Sequence, residues 1–190
     1  MSLRRSIFLP ALLLAVSLPS VAATPGVGQH APDFTLSTPN GEHLSLSSLT
    51  SMGNVVLILL RGYPGYQCPF SQLQFQNYQQ AAANFAATGT QILFVYPGND
   101  TKDLATDATQ MTGGAPLPAN VHVVIDPNYV FSNKYGLRWN APNQTVYPTT
   151  FVLDKTGMVF FMHTGHTSSD QTPVTDALAV INANTTAQKN

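Results

Sequence analysis

The chain has 190 residues, of which only 9% are charged, and its formal net charge is -1 at pH 7. Domains that bind nucleic acid carry a basic face, so this charge balance argues against a polyanion as partner. Apolar residues make up 44% of the chain, which favours a globular fold over disorder, and the length suits one domain. The single cysteine, Cys68, excludes an internal disulfide and a metal site with several thiolate ligands.

Residues 1–23 have the features of a secretory signal peptide. Two arginines precede a short apolar run at 7–16, and the small residues Ala22 and Ala23 follow. A retained membrane anchor is the alternative, but this run is shorter than the ~20 residues that span a bilayer. We therefore expect cleavage after Ala22 or Ala23, a mature domain over residues 24–190, and export, with the periplasm as the expected compartment.

Hydrophobic patterning predicts alternating strands and helices in the mature chain. Two short strand-like runs, 33–36 and 43–46, flank a turn signal at Pro39-Asn40-Gly41 and predict an N-terminal β-hairpin. Continuous apolar runs predict three strands buried on both faces, at residues 55–60, 91–95 and 121–125. Helical spacing or composition predicts four helices, at residues 70–89, 100–111, 129–135 and 174–181.

Near the C-terminus, a second hairpin and a tail are expected. The strand-like runs 149–153 and 158–163 flank the turn signal Asp154-Lys155-Thr156-Gly157, and a polar tail from about residue 183 is expected to be flexible. The order of elements favours an α/β fold: a central mixed β-sheet of about five strands, flanked by helices, with the N-terminal β-hairpin.

Cys68 occupies a position that favours a reactive thiol. A buried strand, a loop rich in Gly and Pro and a helix start meet there, and Pro69 suits the first helical turn. The amides and dipole of a helix N-terminus stabilise a thiolate. An unpaired cysteine in an exported protein also suggests a reactive thiol, and a buried inert cysteine is the alternative.

Two segments resemble the thioredoxin superfamily. Cys68-Pro69-Phe70-Ser71 is similar to its Cys-Pro-x-Cys motif, with serine in place of the second cysteine. Tyr147-Pro148-Thr149 resembles the segment that carries a cis-proline beside the active cysteine, and an ordinary proline at the start of a strand is the alternative.

The resemblance narrows to the alkyl hydroperoxide reductase/thiol-specific antioxidant group, which includes the peroxiredoxins. It rests on Ala31-Pro32-Asp33-Phe34-Thr35-Leu36 and on Arg61-Gly62 shortly before the Cys-Pro pair, and it covers roughly residues 26–165. It implies a thioredoxin-like fold, a cis Tyr147–Pro148 bond opposite Cys68, and a thiol oxidoreductase that needs no cofactor. Cys68 would attack a hydroperoxide or a disulfide, and an external thiol would regenerate it. The resemblance leaves the oligomeric state open, a homodimer included.

The chain departs from the peroxiredoxin pattern Pro-x-x-x-Thr/Ser-x-x-Cys. Gly65 stands three positions before Cys68 and Arg61 stands seven before it, so neither motif residue is present. Tyr147-Pro148 also replaces the family arginine ahead of the late strand. These departures, together with Ser71, favour the alternative function, a non-catalytic thioredoxin-fold binding or chaperone module.

Further site candidates follow from the neighbourhood of Cys68. Arg61 is placed to stabilise the thiolate and polarise a peroxide oxygen, unless it only caps the strand end. Ser71 lies one helical turn along and is placed to donate a hydrogen bond to the sulfur, unless it is simply a polar first-turn residue. Three tyrosines are expected to bind substrate near the entrance, with aromatic packing as the alternative: Tyr63, Tyr66 and Tyr147.

Arg138 and two histidines are weaker candidates. Arg138 is expected to act near the site or to stack on Trp139 at the surface. His163 and His166 resemble part of a copper site, but such sites use two cysteines, so we expect loop histidines and no metal.

Overall fold

The computed structural model describes residues 23–99 and 103–187. The described chain contains seven strands: β1 (Thr35–Ser37), β2 (His43–Ser45), β3 (Asn54–Leu59), β4 (Thr90–Gly98), β5 (Val121–Pro127), β6 (Thr149–Leu153) and β7 (Val159–Thr164). It also contains six helices: α1 (Leu46–Thr50), α2 (Pro69–Gln80), α3 (Ala82–Ala86), α4 (Leu104–Thr112), α5 (Val130–Lys134) and α6 (Val174–Ala187). Residues 1–22 of the predicted signal peptide lie outside the described part. Within that part, no helix has the length and apolar character needed to cross a membrane.

The strands form one mixed sheet in the order β2-β1-β5-β4-β3-β6-β7. Strands β3, β4 and β5 run parallel, while β6 pairs antiparallel with β3 and with β7. The N-terminal hairpin joins this sheet through Ser37 and Ile125 and extends it to seven strands, where about five were predicted. The predicted α/β fold with a mixed, helix-flanked sheet is confirmed.

Both faces of the sheet are buried, which explains the continuous apolar runs in its central strands. On one face, Val56 and Ile58 of β3 pack with Phe75 and Tyr78 of α2. On the other face, Leu57 and the neighbouring alternate residues pack with α1 and α5. Because β3 is buried on both sides, the residues that follow it have a firmly fixed starting point.

The sheet brings four connections to one edge. The carboxyl ends of the parallel strands β3, β4 and β5 lie at this edge, and β6 begins there because Thr149 pairs with Leu59. Clefts at the carboxyl ends of parallel strands are the usual place for a binding site in open α/β sheets. Residues 60–68, which connect β3 to α2, therefore start inside such a cleft.

Three predicted helices differ in extent from the structure. The helix predicted over 100–111 is α4, from Leu104 to Thr112, and residues 100–102 of that prediction lie outside the described residues. The predicted helix over 70–89 is divided into α2 and α3 at Ala81, whose backbone departs from helical geometry. The predicted last helix ends at 181, whereas α6 continues to Ala187, so residues 183–187 of the predicted tail are helical. Thr185 and Thr186 donate their hydroxyls to carbonyls four residues earlier, which satisfies these polar side chains within the helix.

The predicted cis Tyr147–Pro148 bond is wrong, because no cis peptide bond occurs in the described residues. Backbone hydrogen bonds hold the two residues that this bond joins. The Tyr147 amide donates to the Leu137 carbonyl at 3.0 Å, and the Pro148 carbonyl accepts from the Gly165 amide at 2.7 Å. Pro148 is thus a proline at the start of a strand, immediately before β6.

Candidate active site

Cys68 is the N-cap residue of α2. Its backbone is extended, Pro69 is the first helical residue, and the Cys68 carbonyl accepts the Gln72 amide at 3.0 Å. The side chain is only 1% exposed and makes no capping hydrogen bond to the helix. The predicted position at the helix start is therefore present, but the sulfur takes its polar contact from another residue.

That residue is Arg61, two positions after the end of β3. Its Nη1 donates to the Cys68 Sγ at 3.8 Å, and the arginine is 5% exposed. A guanidinium cannot lose its proton under ordinary conditions, so this contact places a permanent positive charge beside the sulfur.

Three neighbours fix the direction of the guanidinium. Nη1 also donates to the Tyr66 hydroxyl at 2.9 Å, Nε donates to Gln144 Oε1 at 3.2 Å, and Nη2 donates to the Asn143 carbonyl at 2.5 Å. Burial opposes the charged form, but the hydrogen bonds to Tyr66 and Cys68 outweigh it and raise the pKa of Arg61. Gln144 and the Asn143 carbonyl are neutral groups, so neither forms an ion pair with the arginine.

Ser71 and Thr145 hold the backbone of Arg61. The Arg61 amide donates to Ser71 Oγ at 3.0 Å, and Thr145 Oγ1 donates to the Arg61 carbonyl. Ser71 is 1% exposed. The Ser71 hydroxyl therefore accepts a hydrogen bond from Arg61, two positions after the end of β3. The sequence predicted instead that it donates to the Cys68 sulfur.

The loop between Arg61 and Cys68 is tied to β4 and α4. Gly62 has a φ of 65°, and a Cβ there would collide with the Pro97 carbonyl, so the close approach of these segments requires glycine. The side chain of Gln67 accepts the Tyr96 hydroxyl at 2.9 Å and donates to the Asp107 carbonyl at 2.5 Å. These contacts position the residue immediately before Cys68.

A cavity of about 400 Å³ lies beside this loop. Tyr63, Asp107 and Arg138 line it, as do Asn143 and Gln144, which hold Arg61. Asn143 and Gln144 thus connect the cavity to the guanidinium, because each accepts a hydrogen bond from it. Tyr63 therefore lies in the wall of a cavity beside the loop that leads to Cys68, and its role in substrate binding stays a prediction.

The other two tyrosine candidates have different surroundings. Tyr66 is half exposed, and its ring lies 5.9 Å from the Arg61 guanidinium carbon. Tyr147 stacks on Trp139 with ring centroids 4.7 Å apart and an interplanar angle of 8°. Tyr66 therefore contacts Arg61, whereas the ring of Tyr147 contacts Trp139 and, edge to face, His166.

Arg138 braces the loop that holds Arg61. Its guanidinium carbon lies 3.9 Å from the centroid of the Tyr129 ring, so it stacks on this tyrosine instead of on Trp139. Its Nη1 donates to the carbonyls of Trp139, Gln144 and Thr145. It is thus connected to the site through the backbone of residues 143–145.

Sequence reasoning missed Asn143, Gln144 and Thr145. A polar run before an apolar strand predicts a loop, but it contains nothing that indicates a contact with Arg61, more than 80 positions earlier. Only the strand order, which places the start of β6 beside the end of β3, brings the two segments together.

The two histidines belong to a separate polar contact. His163 Nε2 lies 2.8 Å from Asp170 Oδ1, and the His166 amide donates to the same carboxylate at 3.1 Å. Across residues 23–99 and 103–187, no group of three or more His, Cys, Asp or Glu side chains is arranged to hold a metal ion.

Comparison with known proteins gives the family. The profile of the AhpC/TSA family matches residues 27–162, and no significant match was found among curated proteins. Among solved structures, the peroxidoxin BcpB from Mycobacterium tuberculosis is similar with a TM-score of 0.66 and 23% identity, over 84% of this chain and 97% of that one.

Two further solved structures are similar at lower identity. The reduced 2-Cys peroxiredoxin from Plasmodium vivax gives a TM-score of 0.66 with 15% identity, over 86% of this chain and 83% of that chain. The yeast mitochondrial 1-Cys peroxiredoxin gives a TM-score of 0.70 with 14% identity, over 86% of this chain and 78% of that chain. At these identities the structures support the thioredoxin-like fold, while the profile covers more than half of the chain. The chain therefore belongs to the AhpC/TSA family of peroxiredoxin-like thiol oxidoreductases.

Proposed function

We propose that the protein is a single-cysteine hydroperoxide reductase in which Arg61 activates Cys68. The observation that carries this proposal is the buried Arg61 Nη1, 3.8 Å from Sγ, in a guanidinium with three further partners. The thiolate attacks one peroxide oxygen, the O–O bond breaks, and the other oxygen leaves with a proton as an alcohol or water. The sulfur retains the first oxygen as a sulfenic acid.

Arg61 supports both ends of this step. Its charge stabilises the thiolate before attack, and its N–H groups are placed to stabilise the negative charge that develops on the leaving oxygen. Tyr66, Gln144 and Asn143 hold the guanidinium, so little reorganisation is needed during the reaction. In this chain, that arrangement takes over the role of the absent peroxiredoxin threonine.

A small peroxide suits the site better than a large disulfide. The Cys68 sulfur is almost fully buried behind Tyr66 and Arg61, so only a compact substrate reaches it without a larger opening of the loop. The burial supports a hydroperoxide as the first substrate, with disulfide exchange following oxidation.

An external thiol completes the cycle. Cys68 is the only cysteine in the chain, and Ser71 cannot attack a sulfenic acid or a disulfide as a thiol would. One external thiol attacks the sulfenic sulfur and expels water, which leaves a mixed disulfide. A second thiol attacks the outer sulfur, releasing Cys68 and an external disulfide.

We also propose that the chain is exported, with the periplasm as its compartment. The support is the basic start, short apolar run and small residues within positions 1–23. N-terminal sequencing of protein recovered outside the cytoplasm tests this, and we expect the first residue to be Ala23 or Thr24. A recovered chain that still starts at residue 1 contradicts it.

The activity is tested by following peroxide consumption with dithiothreitol as the external thiol. The wild type is expected to consume peroxide catalytically, and consumption should stop when the dithiol is exhausted. Cys68→Ser should be inactive while keeping the wild-type circular dichroism spectrum. Equal consumption by the wild type and Cys68→Ser contradicts the proposal.

A further inference from the structure

A second groove lies along α2, and its lining includes neither Arg61 nor any residue that holds Arg61. It has a volume of about 230 Å³ and lies between α2 and residues 169–174. Phe70, Leu73, Gln74 and Asn77 share one helix face, because they follow the spacing i, i+3, i+4, i+7. The groove therefore begins in the first turn after Cys68.

The wall of the groove is exposed apolar surface. Phe70 is 42% exposed and Leu73 is 55% exposed, although both are large hydrophobic side chains on a short helix beside the active cysteine. The opposite wall is fixed, because the buried Tyr78 hydroxyl donates to the Thr172 carbonyl at 3.1 Å. A rigid groove with exposed apolar side chains is suited to bind an apolar side chain of a partner.

Unpaired polar atoms concentrate at the same groove. In the described part of the chain, three buried side-chain atoms have no hydrogen-bond partner: Gln74 Oε1, Gln171 Nε2 and Thr172 Oγ1. All three residues line this groove, and Gln74 and Thr172 are 5% and 3% exposed. Buried polar groups are normally paired, so their concentration at one place needs an explanation.

The chemistry of these atoms matches a peptide. Gln74 Oε1 accepts, Gln171 Nε2 donates, and the Thr172 hydroxyl does either. A backbone amide offers the complementary donor and acceptor, and its side chains offer apolar groups for Phe70 and Leu73. A purely alkyl ligand would leave all three polar atoms unpaired.

The distance between Cys68 and Leu73 indicates which part of a partner peptide would occupy the groove. Five residues of helix at about 1.5 Å each separate Cys68 from Leu73 along the helix axis, roughly 7.5 Å. An extended peptide covers that distance in two to three residues at about 3.3 Å each. A cysteine that reacts at Cys68 therefore places its second or third neighbour against Leu73.

We propose that this groove binds the segment around the reactive cysteine of a protein thiol reductant. The proposal rests on the proposed function and names its external thiol: a cysteine in an extended peptide with a large apolar residue nearby, not a small free thiol. Because Cys68 is only 1% exposed, residues 62–67 open in this step, and the groove holds the peptide while its thiol attacks the Cys68 sulfenic acid, forming the S–S bond and releasing water.

Two synthetic peptides test the proposal: acetyl-Leu-Gly-Cys-Gly-Leu-amide and the same peptide with serine in place of both leucines. Each is mixed with the sulfenic acid form, and the rate of mixed disulfide formation is measured. For the wild type, we expect the leucine peptide to react about tenfold faster, the effect of about 1.4 kcal/mol of apolar contact. Equal rates for the two peptides overturn the proposal.

Matched variants locate the effect. Leu73→Ser should reduce the preference for leucine to less than threefold, while Val130→Ser, which alters an exposed aliphatic residue of α5, should keep it near tenfold. The rate with dithiothreitol should be the same in all three proteins, which shows that Cys68 itself is unaffected. A tenfold preference that persists in Leu73→Ser overturns the assignment of the groove.

Binding is also measured without the redox step. The thiol-free analogue acetyl-Leu-Gly-Ser-Gly-Leu-amide should shift the side-chain amide NMR signals of Gln74 and Gln171 in the wild type. No shift, or shifts confined to other surfaces, overturns the peptide site. If these signals shift but peroxide never forms a sulfenic acid, the proposed function is wrong and the peptide site is supported.

Discussion

At the scale of single residues, the contact between Arg61 and Cys68 accounts for the reactivity expected of this thiol. The sulfur is buried and receives no capping hydrogen bond from α2, so the guanidinium supplies its principal stabilising contact among the described residues. Removing Arg61 should therefore slow both alkylation by iodoacetamide and reduction of peroxide. We expect Arg61→Ala to lower the peroxide rate by about 100-fold, as loss of a positioned donor does in other enzymes.

Arg61→Lys is the informative companion to this variant. It keeps the charge but loses the planar geometry that reaches Tyr66, Gln144 and the Asn143 carbonyl together. Its rates should fall between those of Arg61→Ala and the wild type. If Arg61→Ala is alkylated and oxidised as fast as the wild type, with an unchanged circular dichroism spectrum, Arg61 has no role in activation.

Ser71 is expected to act through Arg61. Ser71→Ala leaves the buried Arg61 amide without its acceptor, which should lower the free energy of unfolding by about 1–3 kcal/mol. Urea denaturation measures this, and Ser51→Ala, an exposed hydroxyl, should change it by less than about 0.5 kcal/mol. Ser71→Ala should also slow peroxide reduction. Unchanged stability and an unchanged rate would contradict the role of Ser71 in holding the Arg61 backbone.

The sequence was sufficient to place some of these residues but not all. Arg61 and Cys68 are near each other in the chain, and a strand end followed by a helix start predicts that both face one cleft. The hydrogen bond from the Arg61 amide to Ser71 was not predictable, because it depends on the angle between β3 and α2. Gln144 and Asn143 were also not predictable, since their contact depends on the pairing of β3 with β6.

At the scale of elements, the hairpin of β6 and β7 depends on one carboxylate in its turn. Asp154 Oδ1 accepts from the Thr156 amide at 2.8 Å, the Thr156 hydroxyl at 2.6 Å and the Met158 amide at 3.1 Å. Burial alone would raise the pKa of Asp154, but these hydrogen bonds outweigh it and lower the pKa below its usual value. The charged carboxylate is therefore favoured in the folded state.

This shift predicts how stability depends on pH. Because the folded pKa is lowered, the contribution of Asp154 is present above about pH 4 and is lost as the pH falls through the folded pKa. Asp154→Asn should be less stable than the wild type at neutral pH, by at most about 1 kcal/mol because solvent screens the group. In urea denaturation, the difference should shrink progressively as the pH is lowered from about 4 to about 2.

A control separates this effect from general acid sensitivity. Glu42→Gln alters an exposed carboxylate in the turn of the first hairpin and should follow the wild type at both pH values. A difference between Asp154→Asn and the wild type that is the same at neutral and acidic pH would contradict the role of the charged carboxylate.

The elements themselves show where patterns in sequence suffice. Continuous apolar runs predicted β3, β4 and β5 because burial on both faces leaves no polar positions. The extension of α6 beyond 181 was missed because polar side chains there bond to their own helix, a local solution that composition does not reveal. The resemblance at Tyr147-Pro148 predicted a cis bond, but this bond is trans in the structure.

At the scale of the whole molecule, the site depends on strand order. The order β5-β4-β3-β6 brings the loop after β3, the end of β4 and the segment before β6 to one edge. Each contributes to the surroundings of Cys68 by a contact to Arg61 or to the loop that precedes the cysteine. Periodicity predicts the strands, but it does not specify which loops meet, so the cavity and its lining emerge only from the folded chain.

The measurement that tests the central claim most directly is the mass of the peptide carrying Cys68 after one equivalent of hydrogen peroxide, without any thiol. The account predicts a gain of one oxygen atom on Cys68, and dimedone should capture this sulfenic acid as an adduct. The yield of the adduct should be much lower in Arg61→Ala. Peptide mapping separates this product from oxidation of exposed methionines such as Met52. An unmodified Cys68, with oxygen found only on methionine, would contradict the account.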